Sequence, residues 1–196
     1  MEKDNSSTAL SRLRKRMEFF TPFSDADFAQ WAHLMHEKQF RKGDVLLQEG
    51  QVCKQFYFIL NGCLRSFSLE EGKEVNVHFY FEDEFACEFE SFRNETPSHF
   101  NLVAMEDVTV YYATKAEALH ILKNESSYIF LFRFFQYHFI KAVEHSNSFK
   151  LLTPEQRYRF ILEHKPHYLQ RIPLIHLAPY LGMSRETLTR IRKKIN

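Results

Sequence analysis

The C-terminal stretch IPLIHLAPYLGMSRETLTRIRKKIN, residues 172–196, divides into two amphipathic segments about a single glycine. In the first segment Leu174, Leu177, Ala178 and Leu181 fall at i, i+3, i+4 and i+7, so one helical face is apolar and faces a core. Pro179 removes a backbone donor from that helix and crowds the turn before it, which predicts a short or bent element. Gly182 supplies the backbone freedom of a tight turn, and Ser184 is placed to cap the second helix by accepting from its first free N–H groups. At about 100° per residue, Leu188, Ile191 and Ile195 make a buried stripe while Arg185, Glu186, Thr189 and Arg190 share the opposite face. The pattern predicts a helix-turn-helix with a polar outer face.

That face suits base edges. An arginine fork pairs bidentately with guanine O6 and N7, and a carboxylate accepts from cytosine N4, so Arg185, Glu186 and Arg190 are candidates to read neighbouring base pairs, with Ser184, Thr187 and Thr189 beside them. Arg192 and Lys193 are candidate phosphate contacts, with Lys194 next in line. Charge is distributed accordingly. The whole chain carries a net +1, yet residues 150–196 hold ten Lys and Arg against three Glu, while residues 1–149 hold 16 against 22 acidic residues. A merely solvated helix face is the alternative, and the glycine turn and preceding apolar helix weigh against it.

Upstream the pattern changes. Gly43, Gly50, Gly62 and Gly72 separate apolar or alternating runs such as VLLQ, FYFIL, LRSFSL and VNVHFYF, the signature of short antiparallel strands. EEGKE reads as a hairpin turn, and NLVAMEDVTVYYAT as two further strands. Residues 8–37 read as helical, with Ser24 as a cap. A long helix is expected over residues 116–149, broken or kinked near Asn124 to Ser127. Along it Tyr128, Phe132, Phe135 and Phe139 follow alternating steps of four and three, the spacing of a two-helix seam. Burial within a monomer would use the same pattern, and a two-fold DNA reader favours a dimer instead. Thr153, Pro154 and Gln156 spell an N-cap, a first-turn proline and a capping box, so a new helix starts there.

The string SRETLTRIRKK after a glycine turn, preceded by a β-rich half, resembles the Crp/Fnr superfamily of bacterial transcription regulators. FRKGDVLLQEG and FYFILNGCLR are likewise similar to the paired early strands of a cyclic-nucleotide-binding domain. The resemblance spans nearly the whole chain and implies an α+β fold. Its parts would be an antiparallel, jelly-roll-like β-roll with N-terminal helices over residues 1–115, a dimerisation helix over 116–149 and a helix-turn-helix domain over 150–196. It implies a homodimer that binds double-stranded DNA and meets RNA polymerase, with Ser184, Arg185, Glu186 and Arg190 at the positions that read GTGA-like half-sites. Since the chain stops soon after the second helix, the expected wing would be missing or very short.

The family's phosphate cassette pairs a Gly-Glu step with an Arg followed by Ser or Thr roughly ten residues on. Here these positions read Cys87 and Glu88, then Ser98 and His99, and no arginine stands where the phosphate would sit. Six acidic residues between Glu82 and Glu95 face only Arg93, a field that repels phosphate. The expectation is a roll not controlled by cAMP, with Glu88 still able to meet the hydroxyl of an unidentified neutral effector.

Other classes find little support. Cys53, Cys63 and Cys87 are widely spaced and too few for a four-thiolate cluster, and read as reduced, partly buried thiols. His33 with His36 and His164 with His167 have spacings that can share a helix face, but lack a third ligand nearby, so no metal is expected. The composition, 44% hydrophobic and 16% aromatic over 196 residues, suits a main domain and a small one. No run approaches eighteen apolar residues and no signal peptide is read at the N-terminus, which gives a cytoplasmic expectation without membrane contact. Catalytic, nucleotide-fold and cofactor motifs are absent, so no enzyme is expected. The rival expectation is a ligand-binding signalling module without specific DNA readout.

Overall fold

The computed structural model describes the backbone of residues 2–195 and the side chains of residues 8–195. The outermost residues of the expected first and last domains, 1 and 196, lie outside the described residues. Two helices open the chain, α1 (Glu2–Glu18) and α2 (Asp25–Leu34), followed by strands β1 (His36–Phe40), β2 (Val45–Leu47), β3 (Gln55–Asn61), β4 (Leu64–Glu70), β5 (Lys73–Tyr80) and β6 (Phe85–Ala86). After a short helix α3 (Phe89–Asn94) come β7 (Asn101–Ala104) and β8 (Val108–Thr114). Helices then take over: α4 (Lys115–Ile121), α5 (Glu125–Leu151), α6 (Pro154–His164), α7 (Pro166–Arg171), α8 (Leu174–Tyr180) and α9 (Arg185–Ile195). None is long and apolar enough to cross a membrane.

The strands form two antiparallel four-stranded sheets, in the orders β1-β8-β3-β6 and β2-β7-β4-β5. Together they make the roll expected from the glycine-punctuated runs. The β4–β5 hairpin pairs Glu70 with Lys73 across a two-residue turn, and Glu71 and Gly72 both take positive φ, 51° and 77°, as a primed turn demands. The two sheets pack Phe56, Phe58, Ile59, Leu64, Phe85, Leu102 and Val110 into one core.

The N-terminal segment is two helices rather than one continuous helical run. Pro22 lies in the break, Ser24 caps α2 by accepting from the Asp27 amide at 3.1 Å, and a strand has begun by His36. The expected long helix is interrupted where it was expected to be. Asn124 accepts from the Ser127 amide at 2.7 Å and so starts α5 afresh after α4. The first half of α5 is glued to the roll by aromatic rings: Phe130 and Phe134 meet Phe20 and Phe85 edge-on at centroid separations of 5.5–6.0 Å. Such pairs contribute about 0.5–1.5 kcal/mol each beyond their area. Trp31 donates to the fully buried Ser127 hydroxyl at 2.9 Å, fixing the start of α5 against α2.

Two expectations change here. His33 lies in α2 but His36 in β1, and His164 ends α6 while His167 lies in α7, so neither pair shares a helix face. The three thiols are fully rather than partly buried, and all are free.

Candidate nucleic-acid interface and roll cavity

Thr153 accepts from the Gln156 amide while Gln156 returns a bond to the Thr153 amide, which starts α6 beside Pro154 as the capping box requires. Its buried Arg157 then reaches across to the next turn. Nε donates to the Leu181 carbonyl at 2.8 Å, Nη1 to Leu152 at 2.8 Å and Nη2 to Gly182 at 3.4 Å, with the guanidinium 5.1 Å over the Phe149 ring. Arg157 is thus the clasp of the turn between α8 and α9. Gly182 has φ +64°, and a Cβ there would lie 2.7 Å from the Phe149 ring.

Pro179 sits in the last turn of α8, which is only seven residues long, as its missing donor predicts. The amides of Leu181, Gly182 and Met183 close that end on the carbonyls of Leu177, Pro179 and Ala178 at 2.9–3.0 Å. Leu177, Ala178, Leu181, Leu188 and Ile191 are buried together with Tyr158, Ile161 and Tyr168. Ile195 packs at the edge of that cluster.

This core leaves Ser184, Arg185, Glu186, Thr189, Arg190 and Lys193 exposed, with Thr187 and Arg192 half-buried. The Ser184 hydroxyl accepts from the Thr187 amide at 3.2 Å and donates to the Thr187 hydroxyl at 3.1 Å. The Thr189 hydroxyl is turned back onto the Arg185 carbonyl at 2.8 Å, so its methyl is the part free for outside contact. Glu186 is held below the usual carboxylate range by its own backbone amide and the Ser184 hydroxyl, and so stays an acceptor. Lys194 is paired with Glu155 at 2.8 Å.

The C-terminal helices do not hang free of the roll. Phe79, Phe81 and Cys63 join their core. The Tyr168 hydroxyl donates to the Phe79 carbonyl at 3.3 Å, and Asn76 donates to the His176 carbonyl at 3.1 Å. Arg171 pairs with Glu82 at 2.6 Å and with Glu106, and Arg65 donates to Glu74, Asn76 and the His176 ring at 2.6, 2.7 and 3.2 Å. The contacts that join the roll to the C-terminal helices were not legible in the sequence, since their partners lie 65 to 111 residues apart.

Tyr128, Phe132, Phe135 and Phe139 lie along α5 with 66, 56, 45 and 70% of their surface exposed, and Val143 continues the row. Among the described residues, only Phe135 of these four has an aromatic partner off the helix, Phe89, at 5.1 Å.

The residues of the expected ligand site separate. Cys87 and Glu88 line a cavity of about 230 Å³ with Leu47, Ser66, Tyr80 and Asn101, whereas Ser98 and His99 are not in its wall. Ser98 is buried with its hydroxyl closed on the Phe100 backbone at 2.7 and 3.0 Å, and His99 points to solvent. Glu88 caps α3, accepting from the Glu90 and Ser91 amides at 3.2 and 2.8 Å. Among the described residues the cavity wall holds the carboxylates of Glu88 and Glu90 and no Lys or Arg. These residues do not fit a cyclic phosphate.

The fold and surface define a β-roll, a long helix with an unpartnered aromatic face, and a basic C-terminal helical module. The cyclic nucleotide-binding domain family model matches residues 37–125. A search of curated proteins by sequence finds no match. Among solved structures the chain is similar to FixK2 of Bradyrhizobium japonicum, at 16% identity and a TM-score of 0.70 over 82% of this chain and 84% of that one. It is also similar to the c-di-GMP responsive global regulator CLP of Xanthomonas campestris, at 14% and 0.64 over 88% and 91%. The Thermus thermophilus catabolite activator protein matches at 17% and 0.57 over 90% and 85%. At these identities the likeness is one of fold.

Proposed function

We propose that the protein is a homodimeric, sequence-specific DNA-binding transcription regulator of the Crp/Fnr type, not controlled by cAMP. The observation that carries the reading is the outer face of α9. Arg185, Glu186 and Arg190 stand exposed on a helix whose opposite side is locked by Leu188 and Ile191, and the turn before it is clasped by Arg157. A recognition helix needs both properties, reach and fixed orientation. Arg192 and Lys193 then meet phosphates, and the division into residues 1–115, 116–149 and 150–196 becomes sensor, dimer helix and reader.

Dimerisation follows from the row Tyr128, Phe132, Phe135 and Phe139, an apolar stripe that a second copy of α5 would cover. The cavity wall supports the negative statement about cAMP: two carboxylates and no cation cannot gather a phosphate. The similar solved structures, a catabolite activator protein and a c-di-GMP responsive global regulator, agree with the regulatory class. A mobility-shift selection from random duplexes tests the reading. It expects enrichment of a two-fold site, unchanged by saturating cAMP; retention of all sequences alike would leave a ligand-binding module without readout.

A further inference from the structure

The sequence separates Cys53 and Cys87 by 34 residues, but the fold brings their Sγ atoms to 3.9 Å in the interior of the roll. Cys53 follows the loop after β2, where its amide donates to the Ser91 hydroxyl at 2.8 Å. Cys87 directly follows β6, one residue before the Glu88 cap of α3. Both thiols point at the Gln55 carbonyl, at 3.3 and 3.8 Å. Each borders a different opening: Cys53 lines a cavity of about 120 Å³ with Leu46, Lys54 and Tyr57, and Cys87 lines the larger cavity beside Glu88. A water occupies about 30 Å³ of liquid, so a hydroperoxide of similar size can be held in the smaller one.

We infer that Cys53 and Cys87 form a redox-sensitive dithiol, in which a small hydroperoxide oxidises Cys53 and Cys87 resolves the product into an intrachain disulfide. The Cys53 thiolate attacks one peroxide oxygen, forming S–O as O–O breaks and hydroxide leaves. The Cys87 thiol then attacks the sulfur of the sulfenic acid, forming S–S and releasing water. Two thiols and one hydrogen peroxide thus give one disulfide and two waters. The order of attack follows from the surroundings. The neighbouring Cys87 thiol holds the Cys53 pKa down to about 7 against burial, whereas burial raises Cys87 itself. Closure requires the sulfurs to approach by about 1.9 Å to reach a bond of about 2.05 Å. Cys63 is excluded, being buried in the other core beside Met105 and Phe79 and held protonated by that burial.

The site is independent of DNA binding and is tested directly on the full chain. The reduced protein is treated with stoichiometric hydrogen peroxide, unfolded, alkylated and mapped by mass spectrometry. Two of the three thiols should vanish, a Cys53–Cys87 linked peptide should appear, Cys63 should stay alkylated, and dithiothreitol should restore all three. Cys87→Ser should arrest the reaction at a sulfenic acid on Cys53 that dimedone captures, and Cys53→Ser should leave Cys87 unmodified at the same dose. Wild-type mapping decides even where a variant fails to fold. Three intact thiols, a linkage that includes Cys63, or a sulfinic acid at Cys53 with Cys87 free would overturn the inference.

Discussion

At the scale of single residues the most consequential side chain is Arg157, which no local pattern singles out. It satisfies three carbonyls at the junction of α5, α6 and the α8–α9 turn, and its removal leaves the buried Leu181 oxygen without that donor. Arg157→Met should therefore cost about 2–3 kcal/mol in urea unfolding, and Gly182→Ala about 1 kcal/mol or more from its φ and the Phe149 clash. Both should weaken operator binding further than their stability loss explains at temperatures where the fold persists. The exposed residues behave otherwise. Arg185→Ala, Glu186→Ala or Arg190→Ala should each relax one half-site position by roughly 1–3 kcal/mol, while Lys193→Ala weakens all duplexes alike and lowers the salt slope. Equal losses on specific and random DNA for the first three would remove α9 from base reading.

At the scale of elements, α5 has two faces with different fates. Phe130 and Phe134 pack against the roll and Phe20, and Phe139, 70% exposed, meets no ring among the described residues. Phe139→Glu should leave the unfolding midpoint of the isolated protomer nearly unchanged and convert the dimer to monomer in sedimentation; a dimer that survives it would move the interface elsewhere. This helix also shows what a sequence can disclose. The break at Asn124, the capping box at Thr153 and the stripes of α8 and α9 follow from rules acting within four residues, and all were legible. Arg157 on Leu181, Cys53 beside Cys87 and Tyr168 on Phe79 depend on chain segments that meet only after folding. Ser98 and His99 stand outside the wall of the Glu88 cavity for a related reason: the motif places residues along the chain, while the Ser98 turn onto Phe100 decides which way they face.

At the scale of the whole molecule, the interface between roll, α5 and C-terminal helices holds several histidines neutral. Burial lowers His78, a half-buried residue, to about 3 and His138 to about 4, and it lowers His145, His167 and His176 as well. An unfolded chain would protonate them near 6.5, so below that pH the unfolded state binds more protons and stability falls as pH falls. Glu84, raised by burial, acts in the opposite sense with at most one proton. Urea midpoints should therefore drop between pH 6.5 and 4.5, with His78 and His138 together contributing a slope of up to about 2.7 kcal/mol per pH unit. His138→Phe should flatten the profile, and an unchanged profile would place the titration elsewhere. In the proposed dimer the two α9 helices should meet half-sites about 34 Å apart, or a multiple; phasing of selected operators checks this.

The shared core between β5 and the C-terminal helices also bears on modular engineering. A chimera that grafts residues 150–196 onto another sensor would strip Phe79, which is fully buried, of its Tyr168 and Tyr180 neighbours at 6.0 and 5.2 Å. The donor roll would then present a bare aromatic strand, and the grafted tail would lose its seat. Exchange of specificity between such proteins therefore has to carry the β5 surface along with the reading head, or be confined to the outward side chains of α9.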